Sequence, residues 1–156
     1  PKFHIMGGQP EYTKRLKSIY QQFSQCSPCQ VFYMTPMEAS FVKYGINSFL
    51  ATKVLWFNQF KDLIDRYDSR YSVVANAVGY DQRIGNGHTK VPGFDGKKGF
   101  GGSCFPKDTA AIANFASGSL TVLEEVMGAN NLYRSQYMLD DREKEQNISY
   151  NSTVSE

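Results

Sequence analysis

Residues 35–67 read TPMEASFVKYGINSFLATKVLWFNQFKDLIDRY. Their periodicity predicts one uninterrupted helix from about Met37 to about Tyr67. Thr35 is placed to cap it, and Pro36 takes the first helical position, where a missing N–H is harmless. Glu38 stands three residues after the cap, in capping-box spacing. Gly45 is the one interior weakness. A helix of about 30 residues is about 45 Å long at about 1.5 Å per residue, more than one small domain covers. Its apolar stripe holds Phe41, Ile46, Phe49, Leu50, Val54, Phe57 and Phe60. The shorter helices that follow supply Val73, Val74, Ile112 and Phe115, enough for part of that stripe. A second copy of the same helix would bury the rest symmetrically, so a homodimer through this helix is the expected assembly.

On the N-terminal side, Lys2 to Met6 predicts a short strand that ends at Gly7-Gly8. Glu11 to Phe23 has helical spacing, and Gln30 to Met34 predicts a second strand, so residues 1–36 form a small α/β piece. On the C-terminal side, Tyr71 to Val78, Pro106 to Phe115 and Leu120 to about Met138 predict three shorter helices. Between the first two of them, Gly79 to Ser103 holds eight of the 13 glycines and is expected to be loop. The fold class is therefore mainly α: a long central helix with shorter helices packed on it over residues 37–139. Residues 140–156 are polar and aperiodic, and are expected to be a disordered tail. A net charge of +2 sets up no strong field for a polyanion, so no nucleic-acid partner is expected. No stretch is apolar for long enough to span a membrane. Three cysteines are too few, and odd in number, for a disulfide scaffold, so a reducing, cytoplasmic setting is expected.

The chemistry concentrates in KGFGGSCFPKD, residues 98–108. Pro106 fits the first turn of a helix, and Asp108 then meets the free N–H groups at the positive end of the dipole. Cys104 lies just before that start, where the helix end and Lys107 both favour a thiolate. The glycines let a ligand approach backbone N–H groups closely. These residues fit an activated sulfur beside a backbone cradle, and equally a free cysteine next to a flexible loop. Lys43 and Asn47 are four apart on the long helix and share a face. On that apolar face they could stabilise a developing oxyanion, or be a snorkelling lysine and a solvated amide. Cys26-Ser27-Pro28-Cys29 follows a helix and precedes a strand, the reverse of a redox CxxC. Zinc would need Cys104, His4 or His88 to join that pair; no metal is expected.

GFGGSCFPKDT at 99–109 closely resembles the catalytic-cysteine motif of the UDP-glucose/GDP-mannose dehydrogenase family. EASFVKYGINSFLATKVLWFNQF at 38–60 resembles that family's long central helix, and GYDQRIG at 79–85 the segment between them. VFYMT at 31–35 and ANNLYR at 129–134 are weaker matches in the same order. The resemblance implies an NAD-dependent enzyme that oxidises the C6 alcohol of a nucleotide sugar to a carboxylate, through a cysteine thioester. It implies Cys104 as nucleophile, Lys43 and Asn47 as groups that stabilise oxygen charge or move protons, and Asp108 as the residue that positions water. It also implies that Arg83 reaches the substrate of a neighbouring subunit, that Phe100, Gly101 and Gly102 form the loop holding the sugar, and that Lys107 meets the cofactor. GSCFPKD is nearest to the UDP-glucose branch. Departures accompany the matches. Ser40 stands where the family usually has glutamate, Gln59 alters an Asn-Glu pair, and no G-x-G-x-x-G occurs. Residues 1–36 are thus expected to be the end of a Rossmann-type NAD domain. The isolated chain is expected to be inactive, with a free-standing, non-catalytic dimerisation remnant as the alternative.

Overall fold

The structure is a computed structural model that describes residues 2–26 and 28–150; Pro1, Ser27 and residues 151–156 lie outside it. The chain divides into two compact units, Pro1–Gly45 and Ile46–Glu156. The division falls inside the long helix α2, Pro36–Asp65.

The first unit opens with β1, Phe3–Gly7, followed by α1, Pro10–Phe23, and β2, Gln30–Met34. The two strands pair in parallel, from Phe3 opposite Gln30 to Gly7 opposite Met34. Parallel neighbours need a crossover, and α1 supplies it. The start of α2 is capped as its sequence predicts. Glu38 N donates to Thr35 Oγ1 at 3.2 Å, and Thr35 N donates to Glu38 Oε2 at 2.7 Å.

The second unit holds the rest of α2, then α3, Tyr71–Tyr80, α4, Phe105–Ala116, α5, Thr121–Arg134, and α6, Asp141–Glu145. Two small cores hold it together. One joins Ala51, Leu55 and Phe100, with Val54, Phe105, Val126, Ala129 and Tyr133 against it. The other joins Phe57, Ala75 and Val91, with Phe60, Tyr71 and Val78 against it. As expected, part of the apolar stripe, Val54, Phe57 and Phe60, is covered by the chain itself. Phe57 is only 1% exposed, because the loop residue Val91 closes over it together with α3. The apolar side chains left outside on this stretch of α2 are Ile46, Phe49, Trp56 and Leu63. Among the described residues, no helix is long and apolar enough to cross a membrane.

The expected disordered tail is corrected over residues 140–150. Asp140 caps α6 by accepting from Glu143 N at 2.9 Å, and Glu143 Oε2 accepts from Asp140 N at 2.8 Å. Glu143 is fully buried. A five-residue helix held by polar contacts has no apolar period to read, which is why composition alone suggested disorder.

Candidate functional site

Cys104 is the N-cap of α4, and its carbonyl accepts from Asp108 N at 2.9 Å. The thiol is exposed, with Ser103 Oγ 3.7 Å from Sγ. One turn on, Asp108 is 1% exposed. Its carboxylate accepts from Asn47 Nδ2 on α2 at 2.5 Å and from Lys107 Nζ at 2.5 Å. A carboxylate only accepts, so the amide nitrogen of Asn47 faces it. A buried charge needs such partners, and the first turn of a helix adds favourable N–H dipoles. Asn47, Lys107 and Asp108 are thus brought together, one turn from Cys104.

The glycine-rich loop arrives at Cys104 from residues 93–103. Its amides are taken from inside the protein. Gly99 N donates to Asn58 Oδ1 at 3.0 Å, Phe100 N to Asn130 Oδ1 at 2.7 Å, and Gly102 N to Glu143 Oε1 at 3.2 Å. Asn130 Nδ2 returns a bond to Phe100 O at 3.0 Å. The N–H groups of Gly99, Phe100 and Gly102 are therefore already used, where sequence suggested an open cradle. Glycine is required at 101 by close approach: a Cβ there would lie 2.1 Å from a guanidinium nitrogen of Arg134 and 2.4 Å from Glu143 Oε1. At 102 it is required by a φ of +76°.

The outer side of this loop walls a cavity of about 530 Å³. Phe100, Gly101, Gly102, Phe105 and Val54 line one part of it, and Asn86, His88, Lys90, Phe94 and Arg142 another. The His88 ring lies 5.7 Å from the Phe105 ring. Burial, and then the charge of Lys53, hold His88 below the usual imidazole range. Lys90 Nζ stands 4.6 Å over the Phe94 ring. The cavity wall therefore carries both cations, Lys90 and Arg142, and a carboxylate, Asp95, beside an aromatic face and a glycine loop.

Residues 37–132 match the model of the UDP-glucose/GDP-mannose dehydrogenase family, central domain. The chain belongs to the UDP-glucose/GDP-mannose dehydrogenase family. It is 39% identical over 120 residues to the UDP-glucose 6-dehydrogenase TuaD of Bacillus subtilis, covering 75% of this chain and 25% of that protein. It is 36% identical over 120 residues to YwqF, a UDP-glucose 6-dehydrogenase of the same organism, covering 74% of this chain and 26% of that one. The structure of a UDP-glucose dehydrogenase from Pyrobaculum islandicum superposes with a TM-score of 0.72 at 32% identity, covering 85% of this chain and 29% of that chain. The chain thus spans about a quarter of the length of these Bacillus relatives.

The other site candidates of this family member are placed less closely. Arg83 sits on an exposed turn and is held by Asp81, with bonds of 3.0 and 2.6 Å. It is absent from the cavity wall. The turn itself is fixed by Lys53, whose Nζ donates to Ile84 O at 2.7 Å and Gly85 O at 2.9 Å. Lys43 belongs to the first unit, where its Nζ stands 5.1 Å over the Tyr44 ring. Cys26 and Cys29 line a smaller cavity of that unit with His4; Ser27 between them lies outside the described residues. Among the described residues, no three His, Cys, Asp or Glu side chains are placed to hold a metal. Sequence reasoning weighed His88 only as a zinc ligand and passed over Lys90 and Arg142 on the cavity wall, and Asn58, Asn130, Arg134 and Glu143 behind the loop. Two signals were present: Asn130 and Arg134 lie within ANNLYR, and Asp140 and Glu143 have capping-box spacing.

Proposed function

We propose that this chain forms the central part of an NAD-dependent nucleotide-sugar 6-dehydrogenase that acts on UDP-glucose, with Cys104 as its nucleophile. The observation that carries this reading is the exposed Cys104 thiol at the N-cap of α4, one turn from a buried Asp108 held by Asn47 and Lys107. In the proposed chemistry, Cys104 Sγ bonds to the C6 carbon of the sugar aldehyde while the carbonyl oxygen takes up the charge and then a proton. An amide N–H suits that oxygen, the role given to Asn47. A bound hydride acceptor would take the hydride from C6 of that adduct as its hydroxyl proton leaves, so that a thioester remains. Water adds to it, directed by Asp108, and the C–S bond breaks to release carboxylate and thiol.

NAD is the oxidant this reading requires. The sequence contains no G-x-G-x-x-G, and the turn from β1 to α1 is Gly8-Gln9-Pro10, so these residues do not fit its pyrophosphate. The hydride steps fall to residues other than these, and the 156-residue chain alone is expected to form no NADH from UDP-glucose. A second copy is proposed to pack on the outer side of α2, against Phe49, Trp56 and Leu63.

The site assignment is tested by iodoacetamide labelling of the purified chain with peptide mapping. Cys104 is exposed at the N-cap of α4. It is expected to label faster than Cys26 and Cys29 and to be protected by UDP-glucose. Labelling of Cys104 no faster than the other two, and indifferent to UDP-glucose, would remove it from the proposed role.

A further inference from the structure

We propose that the C-terminal segment 140–150 is a clamp that fixes the glycine loop in front of Cys104, with Glu143 as its positioning residue. The family match ends at residue 132, so this segment lies beyond what the family model describes. Even so, Glu143 has no exposed surface. Its Oε1 accepts from Gly102 N at 3.2 Å, from an Arg134 guanidinium N–H at 2.5 Å and from Tyr150 OH at 2.8 Å. Its Oε2 accepts from Asp140 N at 2.8 Å, with Lys97 Nζ 3.9 Å away. Arg134 in turn holds Asp95, on the same loop, at 2.8 Å. One buried carboxylate thus ties together the tail, the end of α5 and both ends of the loop.

Taking a carboxylate out of water costs several kcal/mol unless its lone pairs are matched, and here four donors match them. Burial pushes Glu143 up, yet the hydrogen bonds from Asp140, Tyr150, Gly102 and Arg134 hold it below the usual glutamate value. A tail closing over bare surface would not place its charge there. The loop lies directly on the clamp, since no Cβ fits at Gly101. Gly102 is two residues from Cys104, and the neighbouring clamp residue Arg142 lines the cavity beside it. That the loop presents a reacting sulfur rests on the functional proposal above; the clamp itself does not.

Hydrogen exchange read by mass spectrometry on the 156-residue chain tests it without turnover. In Glu143→Ala, exchange of the 99–104 amides is expected to quicken about tenfold or more, the equivalent of one charge-assisted hydrogen bond, with the α2 amides of 51–58 unchanged. Glu143→Gln keeps an oxygen for Gly102 N and is expected to lie between wild type and the alanine variant. Asp140→Ala removes the α6 cap without touching the loop bond; it is expected to quicken the same segment severalfold and carries the test if Glu143→Ala does not fold. Unchanged exchange at 99–104 in the Asp140 and Glu143 variants would overturn the clamp, as would equal acceleration in every segment. Failure of Cys104 to label selectively would instead overturn the functional reading and leave the clamp standing.

Discussion

Asn130→Ala removes a side chain that is 1% exposed and bonds both backbone groups of Phe100. The Phe100 N–H would lose its 2.7 Å acceptor and the Phe100 carbonyl its 3.0 Å donor. Phe100 is itself 4% exposed, so water has little access to either group. A buried polar group left without a partner costs about 1–3 kcal/mol, so two cost about 2–6 kcal/mol. For a chain of this size, each kcal/mol moves the melting temperature by about 2–4 °C, and a loss near 3 kcal/mol lowers it by about 6–12 °C. Urea denaturation of the purified chain, followed by circular dichroism, measures the loss. Gln136→Ala is the control: its exposed amide bonds only Leu132 O, and such surface changes stay within about 0.5 kcal/mol. A loss below about 1 kcal/mol in Asn130→Ala would refute the reasoning, because it would mean that solvent replaces both bonds.

Gly101→Ala drives a Cβ into the Arg134–Glu143 pair and is expected to cost about 3 kcal/mol or more, read from the denaturation midpoint. Acid is expected to destabilise the fold. Glu143 and Asp62 sit below their ordinary values of 4.5 and 3.8, so their stabilisation is present above those values and lost as pH falls through the folded ones. His88 sits below 6.5, so the unfolded chain takes the proton first and stability falls from there downward; a midpoint that rises on acidification would contradict this. Trp56→Glu, at a position 50% exposed on α2, is expected to convert a dimer to a folded monomer in light scattering, and a wild-type chain that is already monomeric at micromolar concentration would contradict the assembly.

What could be read in advance was local. The capping box of Thr35 and Glu38, the period of α2 and the proline at the start of α4 are each contained within a few residues, and they predict α2 and α4 to within two residues of what forms. Asn47 and Asp108 were each recognisable as candidates. That they touch was not, because they lie 61 positions apart and no local signal joins them. The same holds for the loop amides. Asn58 and Asn130 look like solvated amides on helices until the chain brings Gly99 and Phe100 against them. The tail shows the limit of composition: a charged, aperiodic stretch suggests solvent exposure, yet Glu143 is buried because Arg134 and Gly102 meet it there. Helical spacing put Phe57 on the apolar stripe but carried no sign of the loop residue Val91 that helps α3 to cover it.

The central claim is that Cys104 Sγ adds to the aldehyde carbon of a nucleotide sugar. Carbon NMR of the chain mixed with UDP-glucose 6-aldehyde labelled at C6 measures that bond directly, and it needs neither oxidant nor turnover. The account predicts a thiohemiacetal carbon signal in the wild-type chain that is absent from Cys104→Ser and retained when Cys26 and Cys29 are both replaced by serine. No adduct at millimolar concentration, or an adduct that survives in Cys104→Ser, would contradict it.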